Sequence, residues 1–330
     1  MENSKRKRRI LALCAVFSGL VLAVSVSAAE VWNVTAKQRY LWNGLVDITC
    51  TVTGIDETTD VKFAVAAVMP DSGNVREVSH FWIVQNGTNL TSHVVRTNGD
   101  YRLVWDAQSD LGPVIYSNMV VRVTLDVHRK VQLWEGGPYW ADTNIGAEEP
   151  WEYGYYFWWG DTVGYKREND VWVASDGSSS NFSFYPSASS NVPTEGKSIA
   201  ILKSEGWITG GAVLAPKHDA AQVQWGGGWR MPKYSELSAL NNNCNWTWTT
   251  MNGVNGYVVR GQGDYASASI FLPATDVGNM GAQYWSSVPF SDGGGEYSLY
   301  LLFHSRGHNT IYNIPRGSAG SVRPVQSVAE

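Results

Sequence analysis

Between Val31 and His128, apolar and polar residues change places at every second position, and nothing in the stretch keeps a helical period. The runs VWNVTAKQRY, VDITCTVTG, VKFAVAAVMP, FWIVQNG, YRLVWDA and VIYSNMVVRVTLDV each show two-residue alternation or a β-branched core. That is the pattern of strands with one buried face. Turn-forming pieces such as Asp71-Ser72-Gly73-Asn74 and Thr97-Asn98-Gly99-Asp100 separate them. Six or seven short strands in about 100 residues predict an all-β sandwich over 30–128, with Trp82 and Trp105 as core fillers.

Past Arg129-Lys130 the character changes. Twelve of the 16 Trp fall there, and glycine becomes frequent. Lys197–Glu205, Lys217–Gln224 and Pro232–Asn241 read as helices, the last with Pro232 in its first turn and Tyr234, Leu237, Ala239 and Leu240 on one side. Strand-like runs follow, NWTWTT, GYVVR, SIFLPA, YWSS, YSLYLLFH and SVRPV, with Asn252-Gly253 and Asn255-Gly256 as turns. The Ser- and Asn-rich stretch Ala174–Val192 reads as an exposed loop. The fold class expected is α+β: an N-terminal all-β sandwich over 30–128, then a mixed domain over 131–326.

Composition removes several classes. Only 17% of the 330 residues are charged and 12% are aromatic, opposite to a disordered chain. There is no Gly-X-Y period and no sustained heptad. Residues 1–29 read as a signal peptide: Lys5, Arg6, Lys7, Arg8 and Arg9, an apolar run from Ile10, then Ala28 and Ala29 at a small-residue end. The run approaches spanning length, so an uncleaved anchor is the alternative. Cys14 lacks a lipoprotein context and reads as one more apolar residue. Removing five basic residues and Glu2 leaves 20 Lys and Arg against 29 Asp and Glu, which takes the net charge from −5 to −9. Such a chain is poorly suited to nucleic acid or to anionic membranes. The expected product is secreted or at the cell surface, with no membrane insertion after cleavage. Cys50 and Cys244 remain, read as two separate buried thiols.

Four stretches carry a family resemblance. They are WADTNIGAEEPWEYGYYFWWGDT (140–162), HDAAQVQWGGGWRMPKYSEL (218–237), CNWTWTTMNGVNGYVV (244–259) with SIFLPA, and finally YWSS, LYLLF and GSVRPV. In this order they resemble the Fibrobacter succinogenes major paralogous domain, a secreted bacterial family. The resemblance implies a C-type-lectin-like fold and an exported location, and it implies no reaction. The first domain looks like an immunoglobulin- or fibronectin-like sandwich, although Cys50 has no partner in it. Residues 229–237, WRMPKYSEL, also look like the helix entry of formylglycine-generating enzymes. Those work through a copper-binding cysteine pair, and this domain has only Cys244.

Other chemistry finds little purchase. GxSxG, HExxH and CxxC are absent. Asp161, Glu236, Asp264, Asp276 and Glu296 are scattered, with no reason to select a glycosidase pair. The motifs of calcium lectins are missing, and Glu148-Glu149-Pro150 reads as a turn. His304 and His308 have zinc-like spacing, but they flank a strand end and turn. Trp229-Arg230 and Arg323-Pro324 read as structural, with Glu236 a partner for an arginine, and Trp225, Trp229, Trp246 and Trp248 as packing around the helix at Pro232. No metal or cofactor is implied. The candidate ligand surface runs from Tyr284 to Arg316. It comprises Tyr284, Trp285, Tyr300, His304, Arg306, His308, Asn309, Tyr312, Asn313 and Arg316, with Gly293-Gly294-Gly295 marking a loop. Such aromatic and polar types suit recognition, and alternation along YSLYLLFH puts Tyr300 with His304. The expectation is an exported, non-catalytic binding or adhesion protein for a glycan or surface-protein ligand. The alternatives are an oxidase of the formylglycine-generating type, or a degenerate relative of it, and a purely structural surface protein.

Overall fold

The computed structural model describes residues 29–39, 43–69, 73–85, 87–90, 93–113, 119–179, 181–185, 192–274, 281–291 and 296–328. The leader expected over 1–29 therefore lies almost wholly outside the described residues, as do Gly293-Gly294-Gly295. The N-terminal part holds β1 (Glu30–Gln38), β2 (Leu45–Thr53), β3 (Thr59–Val68), β4 (Val75–Glu77), β5 (Phe81–Gln85), β6 (Thr88–Leu90), β7 (Val94–Val95), β8 (Gly99–Asp106), a short helix α1 (Ala107–Leu111) and β9 (Val120–Gln132). Strands β1-β2-β8-β5-β6 form one sheet, and β9, β3, β4 and β7 belong to another. Ile48, Cys50, Val52, Ile83, Leu103 and Trp105 from the first sheet pack on Val61, Phe63, Val65, Ala67 and Val123 of the second. Alternation builds this core directly, because every second side chain points inward.

The C-terminal part continues with β10 (Tyr139–Ala141), β11 (Tyr156–Trp158), β12 (Tyr165–Glu168), β13 (Val171–Ala174), α2 (Ile199–Ser204), α3 (Ala220–Gln224), β14 (Trp229–Arg230), α4 (Tyr234–Asn243), β15 (Asn245–Met251), β16 (Val254–Arg260), β17 (Ser269–Pro273), β18 (Ala282–Ser291), β19 (Glu296–His304), β20 (Gly307–Pro315), β21 (Ala319–Ser321) and β22 (Val325–Gln326). Its main sheet has the order β13-β12-β11-β21-β18-β19-β20, and β15-β16-β17 form a separate meander.

The α+β expectation, with its lectin-like domain, is corrected. Among the described residues strand makes up 48% and helix 12%, with four helices, so this part of the molecule is predominantly β. The helical stretches do form, but the longest, α4, has 10 residues. They decorate sheets instead of making a layer. The strands β10 to β13 escaped notice because the aromatic, glycine-rich segment that holds them shows no alternation.

The sheet order β14-β22-β10-β9-β3-β4 crosses from one part of the chain to the other. Strand β9 pairs with β3 from Val120 to Arg129 and with β10 from Lys130 to Gln132. The segment between 128 and 131, read as a boundary, thus lies inside one 13-residue strand. At the same seam Asp60, fully buried, accepts from Arg96 (Nε, 2.8 Å; Nη2, 3.0 Å), Lys130 (3.1 Å) and Gln326 (2.9 Å). The His128 ring stacks on Trp225 at 3.7 Å.

Candidate functional site

Both faces of the central strands β18 and β19 are covered. Tyr284, Leu301 and Phe303 pack on one side with Leu237 and Leu240 of α4, while Trp285 and Tyr300 pack on the other with Trp159 and Trp229. The expectation for the ligand surface assumed one solvated face, the usual case for an antiparallel sheet. Tyr284 and Trp285 are each 1% exposed and Tyr300 is 6% exposed, so none of them offers a contact to a ligand. Their polar atoms face inward as well. The Tyr284 hydroxyl donates to Pro273 O at 3.0 Å, and the Trp285 indole N–H to Phe157 O at 2.9 Å. Arg316 is equally enclosed, donating to Lys197 O, 3.7 Å from a Glu296 oxygen and 5.7 Å from the Trp159 ring.

What stays exposed of that set is the tip of the β19–β20 hairpin. His304 Nδ1 accepts the Arg306 backbone N–H at 3.1 Å, which forms the local turn. His308 pairs with Phe303, Tyr312 with Tyr300 and Asn313 with Leu299 along β20, where Asn309 also sits; the side chains of these four lie outside the described residues. The expected surface is therefore split between core and hairpin tip.

Other singled-out residues have structural partners. Arg230 makes a two-pronged ion pair with Glu236 (2.8 and 2.6 Å). Arg323, fully buried, donates to Asn144 Oδ1 (2.9 Å), Ala141 O (3.1 Å) and Phe271 O (2.9 Å). Trp246 and Trp248 pack beside α4 as expected, but Trp225 and Trp229 pack elsewhere, in the cluster with Trp159 and Met231. Burial pushes the Cys50 thiol up to about 11, helped by the Asp100 charge, and the Cys244 thiol up to about 12, so neither is a ready nucleophile. Among the described residues, no three His, Cys, Asp or Glu side chains come together as metal ligands.

The outer face of the β1-β2-β8-β5-β6 sheet is different. Ile48, Cys50 and Val52 point into the core, so Asp47, Thr49, Thr51 and Thr53 point out. By the same rule Asp100, Arg102 and Val104 face out on β8, and Trp82 and Val84 on β5. An open groove of about 580 Å³ is lined by Asn33, Thr49, Thr51, Val84, Asp100 and Arg102, among others. Beside it stands Trp32, 53% exposed, its indole N–H donating to Thr53 Oγ1 at 3.0 Å. That bond fixes the ring while leaving it open to solvent.

The groove floor is a hydrogen-bonded lattice. Thr51 donates to Asp100 (2.7 Å), the Thr35 and Thr49 hydroxyls meet at 2.7 Å, and Arg102 reaches Asp47 through Nε (3.1 Å) and Nη2 (2.7 Å). Arg39 grips the same Asp47 from the other side (3.0 and 2.9 Å). The Arg39 hydrogen bond, with Arg102 adding to it, holds the Asp47 carboxyl below its usual range despite partial burial. Asp47 is thus committed to its two arginines. Asp100 Oδ2, Arg102 Nη1 and the Asn33 amide keep hydrogen-bonding capacity with no partner among the described residues.

A bulge creates this arrangement. The β1–β2 register slips between Trp32 and Thr35, and Asn33 takes φ of 51°. A bulge places an extra residue on the bulged strand, and here Trp32 and Asn33 both reach the outside while Val31 and Val34 contact the core. No helix among the described residues is long and apolar enough to cross a membrane. Comparison with protein-family models, curated proteins and solved structures found no match to this chain.

Proposed function

We propose that the protein is an exported glycan-binding protein without a reaction of its own, and that it takes its ligand on the open face of the N-terminal sandwich. The observation that carries this is Trp32: a large aromatic ring held in one orientation, exposed, beside a floor of hydroxyl, amide, carboxylate and guanidinium groups. The C–H-bearing face of a sugar ring fits the negative face of an indole, and sugar hydroxyls fit paired donors and acceptors. Large exposed aromatics of this kind tend to dominate binding energy. Export is what the basic and apolar leader supports.

The test is binding of the secreted chain to an array of immobilised glycans. Trp32→Ala is expected to weaken capture about tenfold or more. A chelator leaves it intact, because a single carboxylate, Asp100, is among the described residues that line the groove and the neighbouring Asp47 is already committed to two arginines. Silence across the array, or wild-type capture by Trp32→Ala, would overturn the proposal.

A further inference from the structure

The pairing register sets the outer face out as three rows. The first runs Trp32, Thr51, Asp100; the second Thr35, Thr49, Arg102, Val84; the third Lys37, Asp47, Val104, Trp82. Two tryptophans therefore occupy opposite corners, one on β1 and one on β5. With strands about 4.8 Å apart and about 3.4 Å per residue, they stand roughly 20 Å from each other along a diagonal. Trp82 is half-buried, and Val104 beside it is 1% exposed. Between the corners lie Asp100 Oδ2 and Arg102 Nη1, neither of which has a partner among the described residues. They are two residues apart on β8 and so on the same side of the sheet.

A single sugar ring can reach one tryptophan and not the other. From this we infer that the ligand is an extended, uncharged oligosaccharide lying diagonally across the sheet, with one ring on Trp32, hydroxyls of the middle units on Asp100 and Arg102, and a further ring against Trp82. This rests on the glycan reading above and adds chain length and charge to it. The charge selection follows from the groove itself. The Arg102 and Arg39 guanidiniums are both turned to Asp47, whereas Asp100 presents a carboxylate in the row of Trp32. An anionic sugar on Trp32 would meet that carboxylate at close range, and a neutral hydroxyl would meet a good acceptor.

Calorimetric titration of the full mature chain with neutral cello-, xylo-, manno- and malto-oligosaccharides tests the inference, using the disaccharide and the hexasaccharide of each series. In at least one series the hexasaccharide is expected to bind about tenfold or more tightly than the disaccharide, since a second aromatic contact contributes on that scale. In Trp82→Ala the ratio falls to near unity. Asp100→Asn, which keeps the shape and the Thr51 bond, weakens the hexasaccharide severalfold and guards against a folding artefact in the tryptophan variant. Equal binding of both lengths, abolished in Trp32→Ala, would overturn the extended mode while leaving the platform standing. Stronger, salt-sensitive binding of a polyuronate would overturn the choice of a neutral chain. No binding in any neutral series or to the polyuronate would remove both this inference and the reading on which it rests.

Discussion

Arg323 sits among Asn144, Ala141 and Phe271 with no exposure and gives each of them a hydrogen bond. A guanidinium presents several donors in a fixed plane, which is why one side chain can tie β10, the turn at Asn144 and β17 together. Replacing it with Leu leaves three buried acceptors unpaired, and the expected loss is about 3–5 kcal/mol in urea unfolding. Arg323→Lys recovers only part of that, because one ammonium cannot reproduce the fork. A loss below about 1 kcal/mol for Leu would show that water replaces the guanidinium. The role of Arg323 was legible in the sequence as an arginine between apolar neighbours. The outward tryptophan left a fainter trace: Val31 and Val34 are three apart in a strand whose inward positions should be two apart, which marks the bulge that frees Trp32. Tyr284 and Trp285 left none. Adjacent residues on a strand face opposite ways, so the burial of both depends on a second layer that comes from distant parts of the chain.

Strand β9 shows how an element can carry more than its own pairing. Its first ten residues pair with β3 of the sandwich and its last three with β10 of the second part, all in one continuous sheet. His128 lies where the two meet, 7% exposed, on the Trp225 ring, with no hydrogen-bond partner for Nε2 among the described residues. Burial, with the Lys62 charge adding and Asp60 opposing, pushes its pKa down to about 3. The unfolded chain therefore takes up the proton first. The stabilisation from a neutral His128 is complete above about pH 6.5 and is lost as the pH falls toward 3, an effect of a few kcal/mol at most. His128→Phe keeps the stacked ring and removes the titration, so its melting temperature should fall less than wild type between pH 6.5 and 4. Parallel curves for the two proteins would show that the group does not govern acid sensitivity. The strand itself was visible as VVRVTLDV, but its continuation through Lys130 was not. Arg129-Lys130 reads as a polar break until β10 is known to lie alongside.

The helix α4 was the most legible element of the second part, and its first turn can be tested by one substitution. Glu236 accepts the Lys233 backbone N–H at 2.7 Å while pairing with Arg230. Glu236→Ala should cost about 1–2 kcal/mol, because a helix N–H and a half-buried arginine lose their acceptor together. A loss of that size in Glu236→Ala but not in Glu236→Gln would assign it mainly to the hydrogen bond and not to the charge.

Across the whole molecule, the two parts are joined at a seam that few sequence rules could reveal. Gly226, Gly227 and Gly228 all have φ between 61° and 93°, a region that side chains resist. A Cβ on Gly227 would come within 2.8–3.0 Å of Val94. The triple glycine thus lets this loop press on the sandwich, where Arg96 and Gln326 both donate to Gly227 O. At the centre is Asp60. Burial alone would raise its pKa, but hydrogen bonds from Arg96 and Gln326 and the Lys130 ammonium more than offset this and hold it below the ordinary carboxylate value. Its contribution is therefore present above about pH 4 and is lost as the pH drops through the lowered value. Three side chains from distant positions meet at that carboxylate, so removing its charge leaves Lys130, only 10% exposed, without a counter-ion. Breaking such a buried pair costs about 3–5 kcal/mol. Because the shared sheet and this cluster make the two cores one cooperative unit, wild type should unfold at neutral pH in a single calorimetric transition. Asp60→Asn should divide it into two, the sandwich core and the tryptophan-rich core melting separately, whereas Arg96→Ala, altering a half-exposed partner, should lower one transition without dividing it. A single, barely shifted transition in Asp60→Asn would mean that sheet continuity alone couples the two parts, and that the cluster serves only to align Gly227 against Val94.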